Sequence, residues 1–212
     1  MQIFLTGGTG YLGRRLIPLL TERGHGVTAL ARQGSERKLP PNCKAVLGNA
    51  LDHSTFVSQI KPATTFVQLV GVAHPSPSKG KEFRAIDLVS GRESVAAAVA
   101  AGIQHFVYVS VAHPAPIMKD YIAVRTEVES LIRASGMNAT ILRPWYVLGP
   151  GHRWPYLLLP MYWFLERIPA TKTSAHRLGL VTLPQMLRAL VRAAETPVNR
   201  IKIVEPIAIR TN

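Results

Sequence analysis

A tyrosine stands four residues before an arginine in this sequence, a spacing that could place a proton-transferring hydroxyl beside a positive charge. Tyr121 and Arg125 belong to the stretch Lys119 to Ser135, whose apolar residues recur at helical spacing. Residues i and i+4 share one face of a helix, so the phenol and the guanidinium would be neighbours. A free tyrosine has a pKa of about 10, and a nearby cation favours its phenolate, which suits general acid and base work. Alternatively, the two side chains simply pack and hydrogen bond at a helix surface.

A glycine-rich turn near the start of the chain offers a place for a dinucleotide. Gln2 to Thr6 has the composition of a buried strand, and helical spacing begins at Arg14. The glycines between them are Gly7, Gly8, Gly10 and Gly13. Gly7 would form the tight turn, Gly10 would let the backbone approach a pyrophosphate, and Gly13 would let the helix pack closely. The first helical turn would then face the phosphates, although an ordinary glycine turn is the alternative.

In these motifs the chain resembles the short-chain dehydrogenase/reductase superfamily, in its extended and atypical branch. That branch includes epimerase- and dehydratase-like proteins and non-catalytic relatives. The turn from Thr6 to Gly13 carries the resemblance first, and later segments extend it to about Val204. The stretch Arg143 to Gly151 is specific to the extended and atypical members, in which it lies near the nicotinamide.

The resemblance implies a role for three side chains. Ser110 falls where the family places its catalytic serine, and would donate a hydrogen bond to the substrate. Tyr121 would exchange the proton with a carbonyl or an alcohol. Where the family has a lysine that holds the nicotinamide ribose and lowers the pKa of the tyrosine, this chain has Arg125. Arginine supplies the charge but does not deprotonate, so a proton relay would have to bypass it.

The resemblance also implies a set of cofactor contacts around the glycine turn and the following strand ends. These residues are Gly7, Thr9, Gly10, Tyr11, Leu12, Gly13, Arg32, Asn49, Ala50, Val70, Gly71, Val72, Tyr121, Arg125, Pro144 and Val147. Asn49 stands where the family has an acid beside the adenine, and its amide can still bond to adenine edges. We assign Asp52, the second acid of that turn, to capping the helix that follows.

Arg32 indicates which dinucleotide is bound. It follows the strand Gly26 to Ala31, about twenty residues past the glycine turn, where NAD-binding folds place an acid on the ribose 2′-OH. An arginine suits a 2′-phosphate instead, so the sequence favours NADP over NAD. A solvated basic loop is the alternative interpretation.

Strand and helix patterns alternate along the chain and predict a Rossmann-type α/β fold, a doubly wound parallel sheet with a small C-terminal substrate or lid portion. The predicted strands are Gln2 to Thr6, Gly26 to Ala31, Cys43 to Leu47, Thr64 to Val70, Gln104 to Ser110, Asn138 to Arg143, Leu178 to Thr182 and Ile201 to Val204. The predicted helices begin at Arg14 and span Ser54 to Ile60, Glu82 to Ala101, Lys119 to Ser135 and Pro184 to Glu195. We expect Gly102 and Gly136 to end two of them.

Length and composition predict one domain, with a cofactor part at 1–150 and a reduced substrate or lid part at 151–212. A single cysteine, Cys43, fits a reducing, cytoplasmic setting, and no spacing of histidines or cysteines indicates a metal site. The net charge is +13, but the basic residues are scattered without a run, which argues against a nucleic-acid ligand.

The apolar segment Trp154 to Ile168 is too short and too interrupted to span a bilayer. We expect it to cover the substrate side of the cofactor or to form a subunit interface, for instance in a homodimer. Peripheral contact with a membrane surface is the rival interpretation. The aromatic residues in and before this segment suggest an apolar or aromatic small-molecule substrate, and core or interface packing is an equal alternative for them.

These observations predict an NADP(H)-dependent oxidoreductase of the atypical short-chain type, acting on a small carbonyl or alcohol. Two other classes stay open at this point. One is a non-catalytic redox sensor or assembly factor that binds the cofactor without turnover. The other is an epimerase or isomerase that keeps its cofactor bound.

Overall fold

Seven parallel strands form the central sheet, in a computed structural model that describes residues 1–150 and 179–211. The strands are β1 (Gln2–Thr6), β2 (Gly26–Ala31), β3 (Lys44–Leu47), β4 (Thr65–Gln68), β5 (His105–Val109), β6 (Ala139–Leu142) and β9 (Ile201–Val204). They lie in the order β3-β2-β1-β4-β5-β6-β9. A separate parallel pair joins β7 (Tyr146–Leu148) to β8 (Leu180–Thr182). The strand order reverses direction at β1, because β2 and β3 extend to one side of it and β4 to the other.

Helices cover both faces of the sheet. They are α1 (Gly13–Glu22), α2 (Gly80–Glu82), a π-helix (Phe83–Leu88), α3 (Val89–Ala101), α4 (Lys119–Ala134), α5 (Leu183–Glu195) and α6 (Pro206–Thr211). The apolar sides of α1 and α5 pack into one core, and those of α3 and α4 into a second core on the opposite face. The prediction of a doubly wound, Rossmann-type α/β fold is therefore confirmed.

The second core is organised by a row of phenylalanines across the sheet. Phe4, Phe66 and Phe106 occupy paired positions of β1, β4 and β5, so their side chains leave the same face. Ring centroids are 5.3 Å apart for Phe4 and Phe66, and 5.2 Å apart for Phe66 and Phe106. Each such pair adds about 0.5–1.5 kcal/mol to the stabilisation from burial, which fixes the register of the three strands.

The predicted helix Ser54 to Ile60 is wrong. Two short 3-10 turns, His53–Thr55 and Val57–Gln59, occupy this stretch instead. Phe56 separates them with φ −143° and ψ −8°, which are neither helical nor extended, and its buried ring lies 5.9 Å from the Phe4 ring, between centroids. The gain from burying that ring outweighs the local helical preference. Asp52 does cap the first turn, since its carboxylate accepts the Ser54 N–H at 3.0 Å.

The other element ends follow the sequence more closely. Gly102 and Gly136 adopt the left-handed conformation after α3 and α4, with φ of 71° and 72°. Helix α5 begins with a capping box between Thr182 and Gln185 and a proline in its first turn. The short strand β7 and helix α6 were not predicted.

The segment Trp154 to Ile168 lies outside the described residues, which in the reduced C-terminal part are 179–211. Of the helices that the structure does describe, none is long and apolar enough to cross a membrane. The predictions about the cover, the subunit interface and the membrane surface therefore stay predictions.

His105 makes the stability of the folded chain depend on pH. Its side chain is fully buried, with Nε2 at 3.1 Å from the Thr140 hydroxyl, and burial lowers its pKa from 6.5 to about 4. Between these two values the unfolded chain binds a proton that the folded chain does not, so stability falls as the pH falls. From pH 7.5 to pH 5 we expect the free energy of unfolding to drop by roughly 2 kcal/mol on this account.

Urea unfolding at the two pH values measures this effect. The matched variant is His105→Gln, which keeps a polar group for Thr140 but does not titrate in this range. We expect the drop to be smaller by roughly 2 kcal/mol in the variant than in the unaltered chain. Equal drops in the two proteins would contradict a neutral, buried His105.

Candidate cofactor and active site

A cleft of about 450 Å³ opens at the carboxyl ends of β1, β2 and β4. This is the point at which the strand order reverses, and open α/β sheets bind ligands there. The cleft is lined by Gly7, Thr9, Gly10, Leu30, Ala31, Arg32, Gly48, Asn49, Ala50, Leu51, Leu69, Val70, Gly71, Val72, Ala73, Lys79, Glu82 and Ile86.

The glycine turn forms one end of this cleft and allows no side chain at two positions. Gly7 has φ +78°, and a Cβ there would lie 2.7 Å from the carbonyl carbon of Leu69. A Cβ on Gly13 would overlap the carbonyl oxygen of Gly7, because α1 packs directly on the turn. Helix α1 begins after Leu12 without a side-chain cap and without an acid in its first turn. Its positive end is therefore suited to a phosphate group.

Arg32 lines the same cleft, directly after β2. Its backbone carbonyl accepts the Ser35 N–H at 2.8 Å, so the chain turns away immediately after β2. The side chain is exposed, and it makes no ion pair with any residue that the structure describes. The glycine turn and this cation together leave a site that a pyridine dinucleotide fits.

Nine of the sixteen predicted cofactor contacts line this cleft, namely Gly7, Thr9, Gly10, Arg32, Asn49, Ala50, Val70, Gly71 and Val72. The other seven do not line it: Tyr11, Leu12, Gly13, Tyr121, Arg125, Pro144 and Val147. The guanidinium carbon of Arg15 lies 4.4 Å from the centroid of the Tyr11 ring. The Tyr11 hydroxyl lies against Gly149. For all sixteen residues the cofactor contact stays a prediction, and nine of them line the cleft in which a cofactor would bind.

Sequence reasoning missed the wall formed by the segment before and within the π-helix. Lys79, Glu82 and Ile86 line the cleft from this side. The Lys79 ammonium donates to the Ala73 carbonyl at 2.9 Å, which holds a second cation at the cleft. No local pattern marks these residues, since only the packing of the helix beside β4 brings them to the site.

Tyr121 lines a second, shallower cavity of about 300 Å³, together with Pro77, Phe83 and the segment Pro116 to Asp120. Its ring contacts Phe83, with centroids 4.9 Å apart, and the Arg125 guanidinium carbon lies 5.0 Å from its centroid. The predicted pair is therefore brought together. Burial nevertheless raises the pKa of Tyr121 above 10, and the opposing charge of Arg125 does not offset it. Arg125 by itself therefore does not lower this pKa, because burial is the larger effect. The predicted lowering with a bound oxidised cofactor stays a prediction.

Arg125 is engaged by the protein itself. It is 5% exposed, and its Nη1 donates to the Val109 carbonyl at 2.8 Å. The same atom lies 3.4 Å from the Tyr108 hydroxyl, and Nη2 donates to a carboxylate oxygen of Asp87. The guanidinium thus holds together structural elements beside the cleft, and its contact with the nicotinamide ribose stays a prediction.

Ser110 is also held by a buried charge. Its hydroxyl donates to Glu129 at 2.7 Å, and both residues are almost fully buried. Arg143 and Arg133 donate to the same carboxylate. Burial alone would raise the pKa of Glu129, but the hydrogen bonds from Arg143, Ser110 and Arg133 outweigh it and keep the pKa below its usual range. For Ser110 to donate to a substrate, its bond to Glu129 would have to break.

The fold and the cleft define an NAD(P)-binding Rossmann protein of the epimerase- and dehydratase-like type. Residues 7–152 match the model of a protein family described as NAD(P)H-binding. The match covers more than half of the chain, so the chain belongs to this family.

Two curated relatives and one solved structure show what the chain is similar to. It is 25% identical over 200 residues to a ceramide reductase of Caulobacter vibrioides, covering 92% of this chain and 62% of that protein. It is 26% identical over 153 residues to YhfK of Bacillus subtilis, described as an uncharacterized sugar epimerase, covering 68% and 71%. The chain thus spans less than two thirds of the ceramide reductase.

The solved structure is that of the enzyme WbmH from Bordetella bronchiseptica in complex with NAD+. The TM-score is 0.70 at 21% identity, over 96% of this chain and 75% of that chain. At this identity the likeness shows the fold alone.

Proposed function

We propose that this protein is an NADP(H)-dependent oxidoreductase that reduces a small carbonyl compound or oxidises the corresponding alcohol. The observation that carries the proposal is the exposed Arg32 side chain after β2, which lines the same cleft as a glycine turn without side chains. A fold with an acid at that position would favour the 2′-OH of NAD. The similarity to a reductase supports the same reaction class.

Tyr121 is the group that would move the proton. A bound NADPH supplies a hydride for the carbonyl carbon. The Tyr121 hydroxyl would donate its proton to the carbonyl oxygen, which yields the alcohol and leaves a phenolate to be reprotonated. A tyrosine whose pKa is raised above 10 is protonated at neutral pH, as proton donation in the reduction direction requires. The apolar lining of its cavity, which includes Phe83, fits a small apolar or aromatic carbonyl compound.

Calorimetric titration with NADPH and NADH tests the cofactor preference. We expect Arg32→Ala to weaken NADPH binding by about 1.5–3 kcal/mol, the range for hydrogen bonds to charged groups. This is roughly a 10- to 150-fold increase in Kd. Affinity for NADH, which lacks the 2′-phosphate, should change little.

The matched control is Arg37→Ala. Arg37 is an exposed cation five residues further on, but it does not line the cleft. Its replacement should leave both affinities nearly unchanged. Equal affinities for the two cofactors in the unaltered chain, or an unchanged preference in Arg32→Ala, would rule out the 2′-phosphate contact.

A non-catalytic cofactor-binding protein is the second candidate function. The observation that favours it is that Ser110 and Arg125 are both occupied by buried carboxylates. Such a protein would bind NADPH and respond to its redox state without turning over a substrate. Binding of NADPH with no oxidation across a broad panel of ketones and aldehydes would support this candidate over the enzyme.

A further inference from the structure

A buried carboxylate lies directly beside the cofactor cleft, and no sequence motif pointed to it. Asp87 belongs to the π-helix Phe83–Leu88 and is 1% exposed. A π-helical segment is rare and often occurs at functional sites. The same segment contributes Ile86 to the wall of the cleft.

Both oxygens of Asp87 are used. Oδ1 accepts a hydrogen bond from Nη2 of Arg125, and Oδ2 accepts the backbone N–H of Val72 at 3.0 Å. Arg125 in turn donates through Nη1 to the Val109 carbonyl at 2.8 Å. One ion pair thus joins the chain after β4, the end of β5, the π-helix and α4.

The pair also fills the space behind Gly71. A Cβ on Gly71 would lie 2.5 Å from Nη2 of Arg125 and 3.1 Å from Oδ1 of Asp87. Gly71 and Val72 both line the cleft. The position of this part of the cleft wall is therefore set by the ion pair from behind and by the hydrogen bond to Val72.

Stability alone does not account for such a pair. Replacing a buried ion pair by apolar residues of similar volume is often neutral or stabilising, because desolvation of the two charges offsets their attraction. Charged and polar groups make directional hydrogen bonds, which apolar residues cannot make, and such bonds can fix the position of a backbone segment at a binding site.

We propose that Asp87 and Arg125 form a positioning pair that holds the Gly71–Val72 backbone in the conformation that accepts a pyridine dinucleotide. The inference rests on the proposed function in so far as that function assigns a dinucleotide to the cleft. In this inference Arg125 supports the cleft wall from the side facing away from the cofactor, and the affinity for the cofactor depends on Asp87.

A mutant cycle with calorimetric titration of NADPH tests the pair. The variants are Asp87→Asn, Arg125→Met and the double variant, and the melting temperature of each is measured alongside. Each single variant should bind NADPH about tenfold more weakly or worse. The double variant leaves no unpaired buried charge, so it should fold well and still lose about tenfold in affinity. Arg125→Lys, which can still reach one carboxylate oxygen, should recover part of the loss.

A control variant, Glu93→Gln, and a further variant, Gly71→Ala, complete the test. Glu93 lies on α3, pairs with His53 and does not line the cleft. Glu93→Gln should therefore leave NADPH affinity unchanged. If the double variant does not fold, Gly71→Ala decides, because its methyl group presses on Arg125 from the exposed side. Unchanged affinity in the folded double variant, or in Gly71→Ala, overturns the inference while leaving the proposed function intact. Failure of the unaltered chain to bind NADPH overturns the proposed function itself.

Discussion

Gly13→Ala is expected to remove measurable NADPH binding, with a loss of affinity of about 100-fold or more. The added methyl group would overlap the Gly7 carbonyl oxygen and lie 2.7 Å from the Cα of Gly8. All atoms in the way belong to the backbone of the turn, so no side chain can move aside. The turn would have to open, and small-to-large changes of this kind in close packing cost about 1–3 kcal/mol or more. The opened turn would no longer present its amides to a pyrophosphate.

Gly24→Ala is the matched control for this glycine. Gly24, unlike Gly13, has a left-handed backbone, with φ +81°, and nothing lies within 4 Å of a Cβ at that position. It follows α1 and lies away from the cleft. We expect Gly24→Ala to lower stability by about 1–2 kcal/mol and to leave NADPH affinity unchanged. Calorimetry and thermal melts on both variants separate the two effects. Full NADPH affinity in a folded Gly13→Ala chain would contradict the role given to the turn.

The parts of the fold that could be predicted from the sequence depend on local pattern. Strands β2 and β9 have the bounds that their apolar runs predict. Gly102 ends α3 as predicted, because the backbone there is left-handed, a conformation that glycine adopts readily. The failure at Phe56 has the opposite cause. That residue leaves the local helical pattern because a ring from β1, distant in sequence, provides a place for its side chain.

The candidate site divides in the same way. Residues at strand ends, such as Gly7 and Arg32, could be placed because parallel strands bring their carboxyl ends to one edge. Asp87 and Glu129 could not, because a buried carboxylate and an exposed one look alike in sequence. Their partners, Arg125 and Arg143, come from other elements of the chain, so only the packing of the sheet and helices reveals the pairing.

The buried hydrogen bonds of Ser110 and Arg125 affect which side chain could transfer the proton. If Ser110 and Arg125 keep their partners during turnover, the proton-transfer step falls on Tyr121 alone. Tyr121 also lines a cavity of about 300 Å³. The oxidoreductase proposal therefore depends more on this hydroxyl than on any other group.

Tyr121→Phe is expected to lower kcat for carbonyl reduction by about 100-fold or more, the usual contribution of a positioned general acid. NADPH affinity should stay nearly unchanged, because Tyr121 does not line the cofactor cleft. The measurement is NADPH oxidation with a panel of small apolar ketones and aldehydes, together with calorimetric titration of the cofactor. Tyr108→Phe is the control, since it removes a buried hydroxyl 3.4 Å from Nη1 of the same guanidinium, at a residue that does not line the Tyr121 cavity. It should keep nearly all of the activity.

The pH dependence of the reduction adds a second readout for Tyr121. Proton donation requires the protonated phenol, and burial raises the pKa of this phenol above 10. The rate of reduction should therefore be independent of this group at neutral pH and fall only as the pH rises through the raised pKa. The residual activity of Tyr121→Phe should lack that alkaline loss. Full activity in Tyr121→Phe, with the same alkaline loss as the unaltered chain, would assign the proton to another donor. If instead no substrate is turned over while NADPH still binds, the non-catalytic candidate becomes the better account of this site.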